Sequence, residues 1–359
     1  MTQERKAQKA QTNKKRRKNL VITKLVCAVL AILFLISGIA SIAYYKTLNS
    51  IGYQDINVNK PVVSTDAQGN VIETEPEILT LDTNSGNLLS DPYVLNILLF
   101  GADQYGDQGN SDTIILMSID NRHEKIKLTS FLRDTYISIP GYYSWKLNGA
   151  YALGGAELSI KTIEANFGIK IDRYAVVNFE TFKDIVDIMD GIDIELTYDE
   201  IQYINAQIAQ NNQEEYLPWD TEEGMVHLNG QQALWHARNR GGYVNGTYFY
   251  MGDDWGRVGR QRAFLDAVMD KLRSSASLTD IIRIVNSVGP NITTNLKNSE
   301  VTTLVSGALT YLGYEMQELT MPEDNWQSVK NEAGDCLAII DWNLARRTVA
   351  EFIYEDSVV

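Results

Sequence analysis

The sequence predicts an α/β domain with a central mixed β-sheet layered between helices, preceded by one transmembrane helix. Three observations carry this reading. An uncharged apolar run, Leu25 to Tyr45, is bounded by Lys24 and Lys46. Strand-like segments begin directly after Pro92. From about residue 155 onward, helical and strand-like periodicities alternate, as they do in layered α/β domains.

The composition sets the outer bounds. With 359 residues, 44% apolar and 22% charged, the chain can bury one large core or two modest ones. A disulfide-stapled miniprotein and a disordered tail protein are both excluded. Formal net charge is −14, but nine basic residues and a single acid fall in the first 24 positions. The remainder therefore carries 23 basic against 45 acidic groups. Such an acidic body is unsuited to gripping phosphate backbones, so nucleic acid is not an expected partner. The two cysteines, Cys27 and Cys336, have neither zinc nor redox spacing.

The N-terminal organisation follows from length and charge. As a helix, the 21 residues of the apolar run span roughly 32 Å, against a hydrocarbon core of about 30 Å. The run is longer than the core of a cleavable signal, which is about 7–15 residues. Residues 1–24 thus read as a basic cytoplasmic tail and 25–45 as a single-pass cell-membrane anchor, with the rest extracytoplasmic by the positive-inside bias. Residues 46–92 read as a stalk, with turn chemistry for a hairpin at Asp66–Asn70, and 93–359 as one domain.

Within that domain, strands are expected at 94–101, 113–119, 126–131, 174–179, 192–196 and 336–340. Helices are expected at 155–167, 180–189, 199–211, 229–238, 256–274 and 341–353. The chemistry-bearing residues collect at the ends of these elements. Asp103 and Asp112 close one strand and open the next, so they read either as turn acids or as ligands of a hard cation such as Mg²⁺. Arg133-Asp134 is a charged pair between strand-like segments, either a structural ion pair or part of a site. Arg257, Arg260 and Gln261 share a face near a helix N-terminus, where cations oppose the macrodipole. An anion lodged there removes that conflict, and Arg238 and Arg240 add two further cations nearby. The competing reading is a solvated face paired with Asp253, Asp254 and Asp266.

Ordered motifs narrow the choice. Asn96–Asp103, Ser111-Asp112-Thr113, Leu132–Tyr136, Lys146–Tyr151 with Gly154-Gly155, Asp172-Arg173-Tyr174, Leu228–Leu234, Ala237–Arg240 and Asp254–Gln261 follow one another in the chain. In content and order this set resembles the LytR-CpsA-Psr family, over about residues 93–275. The resemblance implies an extracytoplasmic phosphotransferase that moves an anionic glycopolymer (teichoic acid, capsule or another) from undecaprenyl pyrophosphate to peptidoglycan. The acceptor it implies is the C6 hydroxyl of N-acetylmuramic acid, and the lipid lies in an apolar tunnel. It further implies Asp103 and Asp112 as ligands of Mg²⁺ or Mn²⁺, and Arg133, Arg238, Arg240 and Arg257 as pyrophosphate-binding arginines. Arg260 and Gln261 follow close behind, Lys146 lies at the pocket edge, and Asp134 orients the catalytic Arg133. The catalytic set is thus Arg133, Asp134, Arg240 and Arg257.

Two departures stand out. Asn110 occupies the position where the family usually has an arginine, which either weakens phosphate binding or is compensated by Arg122 or Arg262. The segment 241–253 is long and aromatic, and reads either as a self-packed surface loop or as a sugar-stacking lid. Two other functions remain open at this level: a non-catalytic envelope regulator or scaffold, and a polyprenyl-pyrophosphate hydrolase.

Overall fold

The computed structural model describes residues 88–102, 111–275 and 278–355, together with the backbone of three short strands between residues 52 and 72. The expected basic tail, the 25–45 helix, Asp103 and Asn110 lie outside the described residues. No helix among the described residues is long and apolar enough to cross a membrane.

A seven-stranded mixed sheet forms the centre. Its order is Gly52–Tyr53, Thr293–Thr294, Arg173–Asn178, Val94–Ala102, Ser111–Asp120, Lys125–Phe131 and Glu315–Met321. Val94–Ala102 runs antiparallel to Ser111–Asp120 and parallel to Arg173–Asn178. The middle strands are apolar on both faces because both faces are covered. On one face Leu98, Phe100, Ile114 and Leu116 pack against Tyr151, Ile163 and Phe167 of helix Leu147–Phe167 and against Val349 and Ile353 of helix Trp342–Tyr354. On the other, Ile97, Ile115 and Leu128 meet Leu265 and Met269 of helix Asp253–Ser275 and Leu304 of helix Asn298–Tyr311. The expected α-β-α layering is therefore present.

A second core surrounds the antiparallel pair Ile192–Leu196 and Gly224–Leu228. Helices Phe179–Ile188, Tyr198–Gln210 and Gly230–Arg238 close over it. The last two begin with complete capping boxes, Thr197 with Glu200 and Asn229 with Gln232. Helix Asp253–Ser275 serves both cores, with Phe264 in the second and Leu265 packed against both.

Several elements differ from the sequence reading. The helix expected at 155–167 starts at Leu147 and is kinked at Gly154 and Gly155, which breaks its apolar periodicity. The strand expected at 336–340 is present as Gly334–Ile339, but its partners in a four-stranded sheet, Trp326–Asn331, Thr135–Ser138 and Ser144–Lys146, and the edge strand Glu315–Met321 of the main sheet have weak or short patterns. Gly52–Tyr53, within the span read as a stalk, supplies one edge of the main sheet. The hairpin expected around Asp66–Asn70 is present as Ser64–Thr65 paired with Val71–Ile72.

Candidate active site

The sheet brings the chemistry to one end. Gly101 is paired with Thr113, so Asp112 sits where one central strand ends and the next begins. Arg133 follows Lys125–Phe131, whose far end reaches the same edge. Helix Asp253–Ser275 lays Arg257 and Gln261 across this edge, and Arg238 ends the helix Gly230–Arg238 beside it. A cavity of about 500 Å³ opens there, with walls that include Asp112, Thr113, Arg238, Arg240, Arg257 and Gln261, and Arg133 reaches it through Asp112.

Asp112 is the hub. One carboxylate oxygen accepts from Arg133 at 2.6 Å, and the other lies 3.5 Å from Arg240 and 3.8 Å from Arg257. Burial works to raise this carboxyl, but the hydrogen bond from Arg133 and the charges of Arg133, Arg257 and Arg240 outweigh it. Asp112 is thus held ionised below the usual carboxylate range. Three guanidiniums thus converge on one carboxylate, and Arg238 stands in the same cavity wall.

The remaining expected residues divide in two. Asp134 lies between Lys146 at 2.8 Å and Arg133 at 3.3 Å, so it holds the arginine in place behind the cavity. Arg238 stacks over Phe179 at 4.1 Å, which holds its guanidinium in the wall without cancelling its charge. Gln261 donates to Thr113 at 2.9 Å. Arg260 departs from the expectation. It is buried and donates to the carbonyls of Asn239 at 2.6 Å and Met251 at 2.8 Å, with Glu200 at 3.4 Å. Those buried carbonyls need a donor, and Arg260 is a strap across the two ends of the 241–253 segment, outside the cavity lining. Arg262 lies with Thr320 and Glu318, and Arg122 with Asp91 and Tyr93, so neither substitutes for the arginine missing at 110.

The 241–253 segment is a hairpin, Gly242–Val244 paired with Thr247–Phe249. Val244, Phe249 and Met251 are buried with Tyr203, whose ring also lines the cavity. A Cβ at Gly256 would lie 2.0 Å from the Met251 carbonyl, so glycine there lets the hairpin return strand close onto the long helix.

Sequence reasoning missed Phe179, Tyr203, Gln207 and Trp235 as cavity walls. Trp235 lies one turn before Arg238, a spacing that was legible; Phe179 and Tyr203 read as core residues, and half-buried Gln207 donates to the Tyr203 hydroxyl at 2.9 Å.

His236 lies beneath this wall and is buried, with Glu200 3.9 Å away. Burial pushes its imidazole down to about 4, against the opposing charge of Glu200. Between pH 6.5 and 4 the unfolded chain binds a proton that the folded one refuses, so stability is full above this window and falls as pH drops through it. Urea unfolding is expected to give about 2 kcal/mol less stability at pH 5 than at pH 7. His236→Gln should flatten that part of the profile; an unchanged slope would count against it.

Asp112 is the one acid in the cavity lining among the described residues. A lone carboxylate with space for phosphate oxygens is a donor set that Mg²⁺ or Mn²⁺ accepts. The other acid cluster, Asp120, His123 and Glu355, lies at the opposite end of Ser111–Asp120. There the Lys127 ammonium already stands 2.8 Å from both Asp120 and Glu355.

Comparison with known proteins places the chain. The LytR_cpsA_psr family profile matches residues 57–340. The polyisoprenyl-teichoic acid–peptidoglycan teichoic acid transferase TagV of Bacillus subtilis (strain 168) is 30% identical over 211 residues, 57% of this chain and 50% of that protein. The chain thus spans about half the length of that curated relative. TagU of Oceanobacillus iheyensis, a transferase of the same description, is 32% identical over 251 residues, covering 66% of this chain and 72% of that one. A solved family structure, YwtF (TagT) with bound octaprenyl pyrophosphate lipid, superposes with a TM-score of 0.54 at 21% identity, over 74% of this chain and 93% of that one.

Proposed function

This chain belongs to the LytR_cpsA_psr family, and from that membership we propose that it transfers an anionic glycopolymer from a polyprenyl-pyrophosphate carrier to peptidoglycan. The observation that carries the reading is the convergence of Arg133, Arg240 and Arg257 on Asp112 at the cavity. A scaffold has no use for three cations held at a cavity. The names of TagV and TagU favour teichoic acid over capsule as the polymer.

The acceptor is the C6 hydroxyl of N-acetylmuramic acid. Its oxygen bonds to the phosphorus that bears the glycopolymer, the pyrophosphate bridge to that phosphorus breaks, and polyprenyl phosphate leaves, its departing oxygen taking up the proton that the hydroxyl gives up. Negative charge grows on the leaving phosphate and the equatorial oxygens, so positioned cations matter more than a covalent nucleophile. Arg240 and Arg257 face this charge from the cavity wall, and Arg238 binds the pyrophosphate beside them. Arg133 is oriented by Asp134, which Lys146 holds in turn. Arg260 acts on this set by fixing the backbone between Arg238 and Arg240. Asp112, with Asp103 beyond the described residues, would hold Mg²⁺ or Mn²⁺. When bound, the ion supplies further neutralisation of phosphate charge.

The deciding experiment incubates the full chain in detergent with a lipid-pyrophosphate oligosaccharide and peptidoglycan oligomers. Linked product supports the transferase. Free phospho-oligosaccharide identifies a hydrolase, and no turnover a scaffold. The proposed location is a single-pass cell-membrane protein with residues 46–359 outside. Protease added to intact, wall-stripped cells should then destroy the domain and spare an N-terminal tag; survival of the domain would overturn this topology.

A further inference from the structure

The two faces of the Gly242–Phe249 hairpin differ sharply. Alternation along its strands turns Val244 and Phe249 into the protein, where Phe249 meets the Tyr203 ring edge-on at 5.5 Å. The same alternation turns Tyr243 and Tyr248 outward as a directly opposed cross-strand pair, with ring centroids 5.1 Å apart. Tyr243 is 79% exposed, Tyr248 58%, and Tyr250 just after the hairpin 76%. Three exposed large aromatics on one short element are not a packing requirement, since the inner face alone anchors the hairpin.

The platform is also fixed in place. Arg260 ties the carbonyl of Asn239, before the hairpin, to that of Met251, after it. Gly241, at the hairpin base, lines the cavity together with Arg240. The tyrosines therefore sit on a braced extension of the wall where transfer takes place, and it is a platform and not a swinging lid. Pre-ordered aromatic rings bind at low entropic cost.

The geometry points to a carbohydrate-binding subsite in which Tyr243, Tyr248 and Tyr250 stack against the acceptor glycan of peptidoglycan. The identity of that glycan rests on the transferase reading above. Charge selects the acceptor over the donor polymer. From Gly241 to Gly252 the chain has no charged residue, and Asp253-Asp254 follow. A phosphate-rich polymer calls for cations along its path, whereas the C–H face of an N-acetylglucosamine ring carries no charge and suits uncharged rings.

The test uses the full chain in detergent and a defined N-acetylglucosamine–N-acetylmuramic acid oligosaccharide, with binding measured at equilibrium and no donor present. Tyr243→Ala/Tyr248→Ala should weaken oligosaccharide binding by about tenfold or more, the scale of truncating an aromatic anchor. Octaprenyl pyrophosphate binding should not change. Tyr243→Phe/Tyr248→Phe should keep most of the affinity, because the rings and not the hydroxyls make the surface. Oligosaccharide binding equal to the parent's overturns the subsite, and so does a loss confined to a lipid-linked phosphate polymer. Because no transfer is needed for this measurement, tyrosine-dependent glycan binding in a chain that never transfers would reject the transferase reading and leave the subsite standing.

Discussion

Arg257→Ala is expected to lower glycopolymer transfer about 10²–10³-fold, the scale of removing one preorganised donor to a transition-state anion. Arg257 lies near the start of helix Asp253–Ser275, where a cation opposes the macrodipole, so the dipole alone predicts little loss of stability. Its burial changes that expectation. The residue is 2% exposed, and truncation leaves space beside Asp112. A destabilisation of about 1–3 kcal/mol is therefore expected together with the rate loss. Activity must be scored per folded molecule, with the folded fraction taken from urea unfolding. Normal activity in the folded fraction would make Arg257 structural and would remove it from the phosphate site.

Asp112→Asn is expected to act in the opposite direction on binding. The amide keeps the shape but no longer neutralises Arg133, Arg240 and Arg257, whose nearest approaches are 2.6, 3.5 and 3.8 Å. Removing one negative charge from beside three guanidiniums strengthens their attraction for pyrophosphate, so octaprenyl pyrophosphate should bind more tightly when no divalent cation is present. Transfer should nevertheless fall by about 10²-fold or more, because the carboxylate sets where the cations point. Equilibrium binding and transfer rate measured on one preparation check both halves. Parental transfer by the Asn variant would show that the hub is dispensable.

The two predictions rest on residues that were legible to different degrees. Asp112, Arg133, Arg238, Arg240 and Arg257 each fall in a short motif at the end of an element. Sequence spacing placed Arg260 beside Arg257 and Gln261 on one face, since it cannot see backbone from elsewhere. Two carbonyls, from Asn239 and Met251, claimed that guanidinium. For the 241–253 segment the self-packed reading holds on the inner face, while the outer face leaves Tyr243, Tyr248 and Tyr250 exposed.

The chain alone revealed the layered α/β class, most of the central strands and helices, and which charged residues to follow. It could do so because buried strands and amphipathic helices carry their periodicity in the chain, and element ends carry their polar residues in fixed order. Tertiary structure alone decided the short and edge strands, whose patterns are too weak to read, and the kinked start of helix Leu147–Phe167. It also decided which cations face the cavity and which serve as struts. That outcome depends on which acceptors the folded chain brings to each guanidinium or amide, and some of those contacts join residues more than a hundred positions apart, such as Asp112 with Arg240 and Thr113 with Gln261.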